Sequence, residues 1–267
     1  MSKIAICYFS YHKDEPFLYQ SLRALENVIK YTPQHEIKVY IFDDANCVEK
    51  IDKTNISKLD FNNSLSFIET TFDRKGNLNG YDCINGIIQT YVKIYQNYQY
   101  DYIIKLDSDC VINNLDYINT VEMLARKQNC FEQVGQIGSM FAKLACYGCC
   151  QTFRPNAINV LKHLFDQMNG EIHEQAKVLK KRVELGFNED KVVSILLEMS
   201  SLIRVNLDMV DGVVGHLNAF TCKNPNEDYT KYTSVAFKPN LFGDINWSRS
   251  ESLEKMEKHV NELIKCQ

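Results

Sequence analysis

Two glycine signatures are missing from this chain. No G-x-G-x-x-G follows its first apolar run, and no G-x-x-x-x-G-K-[ST] occurs anywhere. A dinucleotide-binding oxidoreductase and a P-loop NTPase are both disfavoured by that absence. Phosphate charge, if the protein meets any, has to be met by a metal rather than by a glycine nest. No apolar run reaches the length of a membrane span. The N-terminus, Met1-Ser2-Lys3-Ile4, turns polar too soon for a secretory signal, so a cytoplasmic location is expected. An excess of positive charge is missing too. The net charge of -4 gives no reason to expect nucleic acid as a partner. The one basic cluster, residues 177–182, reads as a solvated helix face, with a peripheral contact to a membrane or lipid-linked acceptor as the lesser alternative. There is no internal repeat, low-complexity segment or linker, so residues 1–267 are read as a single domain.

Cysteine, by contrast, is plentiful, with 10 in the chain. Cys7, Cys47, Cys83, Cys110 and Cys130 lie in or beside apolar runs, where a free thiol behaves as a small hydrophobe. In the cytoplasm they stay reduced, and the sequons at Asn55, Asn62 and Asn246 then carry no meaning. Cys146-Tyr147-Gly148-Cys149-Cys150 contains a C-x-x-C, as half of a zinc site or a redox pair would. A structural zinc site needs four ligands, and no second C-x-x-C or H-x-x-x-H pair exists. A tight loop around Gly148 is the plainer reading.

Periodicity predicts alternating strands and helices. Strands are expected at residues 3–10, 36–42, 65–68 and 102–106, with helices over 15–30 and 81–98. The second half is less regular: helices over 114–127, 155–168, 172–185 and from 188, short strands at 134–138 and 145–153 around a glycine-rich turn, a strand at 201–208, and a polar amphipathic helix over 252–264. Such alternation argues for an α/β fold, a mainly parallel sheet flanked by helices, with its binding crevice at the carboxyl ends of the strands. Three expected strands deliver polar residues there: Ser10-Tyr11-His12, Asp43-Asp44 and Asp107-Ser108-Asp109.

The last of these carries the most chemistry. Tyr102-Ile103-Ile104-Lys105-Leu106 runs straight into Asp107-Ser108-Asp109. Read as a strand, alternation puts Lys105, Asp107 and Asp109 on one face. Two neighbouring carboxylates repel each other, and a hard divalent cation that also holds a substrate's phosphates resolves the conflict. The plain alternative is a turn, in which Asp and Ser bond their own backbone. Lys105 reads either as a counter-ion for the pair or as a phosphate contact.

The ordered set of motifs resembles the GT-A fold, nucleotide-sugar-dependent glycosyltransferases of the family 2 type. Asp107-Ser108-Asp109 stands for D-x-D, Tyr147-Gly148-Cys149-Cys150 for the glycine loop, Asn188-Glu189-Asp190 for x-E-D, and His216 for the C-terminal histidine. The resemblance implies a GT-A type, Rossmann-like sheet with a donor half over about 1–112 and a less regular acceptor half over about 113–267. It implies a hexosyltransferase-type enzyme (EC 2.4) that moves a sugar from a nucleoside diphosphate sugar, UDP-sugar favoured, to a hydroxyl of a glycan or glycoconjugate. Mn²⁺ or Mg²⁺ would stabilise the departing diphosphate. Asp109 and His216 would hold the metal, with Asp107 either reaching it or binding the ribose. Phe9, Tyr11, Asp43, Asp44, Asn79, Asp107 and Ser108 would contact the nucleotide, and Arg74, Lys75 and Lys238 are further phosphate candidates. Asp190 would take the acceptor's proton, which implies inversion at the anomeric carbon; in a retaining enzyme it would orient a substrate instead. Asp at the start of a helix also simply complements the macrodipole. Two alternatives stay open: a sugar nucleotidyltransferase, disfavoured because residues 10–16 contain no glycine, and a non-catalytic binding protein that keeps the fold.

Overall fold

The computed structural model of the chain describes residues 1–44, 47–70, 81–116, 118–119, 122–123, 131–140, 143–167, 193, 197, 200, 203–206, 228–237 and 248–266. Asn79, Asp190, His216, Arg74, Lys75, Lys238 and the helix expected over 172–185 lie outside them.

Strand β1 (Ser2–Ser10) is buried at every position but Lys3. Its near-continuous apolar run marks a central strand covered on both faces. It pairs in parallel with β2 (His35–Asp43) on one side and β4 (Tyr102–Leu106) on the other. β3 (Leu65–Glu69) extends the parallel set beyond β2. Past β4 the sheet continues with β7 (Lys143–Phe153), β6 (Phe131–Met140) and β8 (Ile203–Asn206), giving the order β3-β2-β1-β4-β7-β6-β8. β7 is antiparallel to both its neighbours, while β6 and β8 are parallel to each other. A separate antiparallel pair joins β5 (Cys110–Ile112) to β9 (Ser234–Ala236).

Helix α1 (Glu15–Lys30) has the spacing of an amphipathic helix, with Pro16 in its first turn, where the missing N–H costs nothing. Leu18, Leu22 and Leu25 pack on Ile4, Ile6 and Tyr8 of β1. Phe17 and Ala24 lie in a second cluster with Met256, Val260 and Leu263 of the C-terminal helix, which we label α4 (Arg249–Cys266). α1 is therefore clamped between the sheet and α4. The opposite face of the sheet is covered by α2 (Tyr81–Tyr98) and α3 (Pro155–Gln167): Ala5, Cys7 and Phe9 of β1 meet Ile87, Ile88 and Tyr91, and Ala157, Ile158 and Leu161. Val193 and Leu197, four apart and both helical, add to that cluster.

Two expectations change here. Residues 146–150 do not form a tight loop; they belong to the single strand β7. They bulge within it: Gly135 pairs with Gln151, and Ile137, two residues on, pairs with Cys146, so β7 carries extra chain opposite Gln136. Cys47 also departs from the buried thiols Cys7, Cys83 and Cys110, since it is half-exposed in the loop after β2.

Candidate active site at the carboxyl edge of the sheet

Strand register brings the polar residues together. Ser10 pairs with Asp43, Asp43 with Glu69, and Tyr8 with Leu106. The ends of β3, β2, β1 and β4 thus form one row. The chain runs outward from β1 to β2 and β3, then returns to the other side of β1 as β4. β1 and β4 are where the winding reverses, and such sheets open their ligand crevice there. Ser108, just past β4, donates from its hydroxyl to Ser10 Oγ at 2.9 Å across that point.

Asp107 and Asp109 do not sit on a strand. β4 ends at Leu106, and Cys110 N–H donates to Asp107 C=O at 3.0 Å, closing a four-residue turn. The turn, rather than strand alternation, sets the relation between the two carboxylates. Phe237 N–H donates to Asp109 C=O at 2.8 Å, tying the turn to the chain after β9. β7 meets the same edge. Cys150 pairs with Leu106, so the bulge lies beside the D-x-D turn.

Lys105 occupies the sheet beneath this turn. It is only 1% exposed, and its cross-strand neighbours are Cys7 and Gln151, both fully buried. Its ammonium donates to Asp107 Oδ1 at 2.5 Å. Of the two roles open to Lys105 in the sequence, the structure shows the counter-ion.

Asp43 is 4% exposed at the end of β2. Its Oδ2 accepts from Ile51 N–H at 3.2 Å, which folds the following loop back onto the strand. Among the described residues, none donates a hydrogen bond to its buried Oδ1. Asp44 is also buried, and its carbonyl accepts from Lys50 Nζ at 2.9 Å. Burial raises the Cys47 thiol above its ordinary pKa, and the Asp44 carboxylate adds to the effect. A thiol so raised is a poor nucleophile at neutral pH. Tyr11 continues from β1 in extended conformation and meets the His12 ring edge to face at 5.5 Å. His12 Nε2 faces Glu49 Oε2 at 3.0 Å, so the loops after β1 and β2 touch. The sequence offered no signal for that contact or for Lys50.

Phe9 stands apart from the other expected nucleotide contacts. It is 2% exposed and lies in the core on the α2 face, its ring stacked on Phe42 at 4.9 Å and edge-on to Tyr91 at 5.8 Å. Alternation along β1 explains the placement: Tyr8 and Ser10 share the other face.

The donor chemistry at the turn suits a hard cation, since both side chains offer carboxylate oxygens. Asp107 Oδ1 already accepts from Lys105. Among the described residues, no three His, Cys, Asp or Glu side chains converge as a metal-binding group.

The order of the parallel strands, their reversal between β1 and β4 and the helices on both faces match a GT-A type fold. Among solved structures, the chain is similar to the galactosyltransferase LgtC, determined with donor and acceptor sugar analogues: 14% identity, 98% of this chain, 95% of that one, TM-score 0.51. It is similar also to the apo glycosyltransferase GlyE of Streptococcus pneumoniae TIGR4, with 11% identity, 100% of this chain, 64% of that one and TM-score 0.50. No family model matches the chain, and no curated protein sequence matches it. The likeness is one of fold.

Proposed function

We propose that the protein transfers a sugar from a nucleoside diphosphate sugar, UDP-sugar favoured, to a hydroxyl of a glycan or glycoconjugate. The observation that carries this reading is the row Asp43, Ser10, Ser108 with the Asp107–Asp109 turn, gathered at the winding reversal of a GT-A type sheet. Asp43 Oδ1 is a buried acceptor to which no described residue donates, and a base imide or ribose hydroxyl would supply a donor. Tyr11, Asp44 and Ser108 belong to the same edge and complete the nucleotide contacts together with Asn79.

In the transfer, the acceptor oxygen attacks the anomeric carbon. The bond from that carbon to the diphosphate breaks, and its electron pair leaves with the diphosphate. Asp190 accepts the hydroxyl proton. A divalent cation, Mn²⁺ or Mg²⁺, supplies positive charge for the departing diphosphate. Asp109 would hold it, with His216 completing the set and Asp107 orienting the ribose side.

A thermal-shift panel of UDP-, GDP-, CMP- and dTDP-sugars, each with and without Mn²⁺, tests the reading. Selective ligand binding to the folded state raises its apparent stability. One nucleotide should shift the transition, and only with the metal. No shift with any donor would return the fold to a non-catalytic binding role.

A further inference from the structure

We infer that the cleft between β3 and the C-terminal half of α2 is a saccharide-binding site of its own, separate from the crevice, which holds one or two sugar rings of a glycan. The choice of a sugar as occupant rests in part on the transfer reading above. Strand register sets Tyr40 opposite Ser66 and Phe42 opposite Ile68, so all four share the α2 face of the sheet. α2 packs over Tyr40 and Phe42, which are 4% and 3% exposed, but among the described residues nothing covers Ile68 as fully, and it stays 40% exposed. The step from covered β2 to open β3 is a cleft of about 250 Å³. Tyr40 and Phe42 form its floor, Ile68 belongs to one wall, and Lys93, Asn97 and Tyr98 belong to the other. Thr70 lines its upper end, where Thr70 N–H donates to Asp43 C=O at 2.8 Å. The cleft therefore reaches the carboxyl edge of the sheet beside the row described above.

Three features point to a sugar. The first is an aromatic ring that is open yet held. Tyr98 is 54% exposed, and its ring centroid lies 6.3 Å from that of Tyr40 and 5.9 Å from that of Tyr100. The hydroxyls of Tyr40 and Tyr100 bond each other at 2.8 Å. Gln99 adopts a left-handed φ of 48–50°-type geometry (φ 50) that disfavours residues other than glycine, and its N–H donates to Tyr95 C=O at 2.8 Å. That turn ends α2 at Tyr98 and lets Tyr98 and Tyr100 both reach Tyr40. The ring is thus ordered before a ligand arrives, which lowers the entropic cost of binding. The C–H face of a sugar carries slight positive charge and packs on the negative face of such a ring. The second feature is polar. Lys93 and Asn97 stand one turn apart on α2 and are exposed, and among the described residues none pairs with the ammonium or the amide. They offer donors and an acceptor to the hydroxyls at a sugar's edge. An apolar peptide segment would cover both groups without satisfying them. The third is size. Cavities for larger ligands run to about 300–1,000 Å³, so this one suits one or two rings rather than a whole nucleotide. A glycan held here stays on the protein without occupying the crevice.

Binding to a glycan array tests this with no need for turnover. The protein is biotinylated and tetramerised on streptavidin, so that weak contacts add, and UDP with Mn²⁺ is present to fill the crevice. The wild type should bind a set of glycans that share one mono- or disaccharide. Tyr98→Ala should lose about tenfold of that signal or more, while Tyr98→Phe, which keeps the ring, should stay within about twofold. Asn97→Ala should lose about threefold. No glycan bound above background by the wild type would overturn the proposal. Equal signals from Tyr98→Ala and the wild type would overturn it too, since the sugar would then sit elsewhere on the molecule. If Tyr98→Ala fails to fold, the double variant Lys93→Ala/Asn97→Ala, on exposed helix surface, gives the same decision. The donor thermal shift reads the transfer function separately, and Tyr98→Ala should keep it. A wild type with no donor shift but with a glycan signal that depends on Tyr98 would sink the transfer reading and leave the cleft as a saccharide site.

Discussion

Two of the buried polar arrangements among the described residues are built on opposite principles. At the end of β4, Lys105 and Asp107 form a charged pair deep in the sheet. Beneath α4, His259 joins a neutral network. Asn113 Nδ2 donates to the carbonyls of Tyr229 and Tyr232, each at 2.8 Å, so Asn113 Oδ1 is the acceptor facing His259 Nε2 at 2.9 Å. His259 must then carry its proton on Nε2, and the neutral ring satisfies the network. Burial holds its pKa down at about 4, against a weaker opposing pull from Asp228. Neutral groups fasten α4 and the chain after residue 228 to β5 without charging the core. Among the described ion pairs, the one with a fully buried ammonium is Lys105 with Asp107, at the turn after β4. Buried ion pairs are weak contributors to stability, and their usual value lies in fixing geometry.

Variants that strike each arrangement sharpen the contrast. The largest effect is expected outside both, at the carboxylate proposed to hold the cation: Asp109→Asn should weaken Mn²⁺-dependent UDP binding by about a hundredfold or more, measured by calorimetry. Unchanged affinity would remove the turn from the donor site. Next comes the charged pair. Lys105→Ala removes the ammonium from Asp107 Oδ1 and opens a void, and should cost about 3–5 kcal/mol in denaturant unfolding. A cost below about 1 kcal/mol would mean that the pair is not desolvated as the structure shows.

The neutral network should reveal itself through pH. Because the folded-state pKa of His259 lies near 4, below its ordinary 6.5, the unfolded chain binds the extra proton in that interval. Its contribution is fully present above pH 6.5 and is lost as pH falls toward 4, about 3 kcal/mol in all. His259→Gln should flatten that part of the stability profile, and an unaltered slope would dissociate it from His259. Asn113→Ala, which removes one donor from two carbonyls and the acceptor of a ring N–H, should cost about 1–3 kcal/mol at neutral pH. The smallest effect is reserved for the surface. Arg249 donates to the Lys13 carbonyl and to Asp14 Oδ1 and lies over the Phe17 ring at 4.8 Å, yet it is half-exposed. Arg249→Ala should lower stability by about 1 kcal/mol or less, with a salt dependence that the His259 variants lack.

How much of this was legible beforehand differs by element. Helices α1 and α2 begin and end where apolar spacing predicts, because each buries a stripe on a flat sheet and local periodicity reports that directly. β1, β2 and β4 were legible as apolar runs of strand length. The segment after β4 was expected to continue as strand, but the strand stops at Leu106 and a Cys110 N–H to Asp107 C=O bond turns the chain, with Phe237, over a hundred residues away, held against Asp109. Phe9 was placed at the nucleotide by the resemblance of Tyr8-Phe9-Ser10-Tyr11 to a base-binding segment, whereas the pleat turns its ring into the core against Phe42. The C-x-x-C segment was read as a loop, since a bulge in a long strand has no local sign apart from its glycine.

The sequence by itself determined which segments are strands and helices, that the sheet is mainly parallel, and that carboxylates collect at its carboxyl edge. Those properties follow from spacing along the chain. The tertiary structure alone decided which polar groups meet. Ser10 with Ser108, His12 with Glu49, and His259 with Asn113 are partners 98, 37 and 146 residues apart, joined by strand register and helix docking. Burial was likewise a tertiary matter. It makes Lys105 a fixed counter-ion and His259 a neutral strut, because the free energy of a charge depends on the groups that surround it, and these come from every part of the chain.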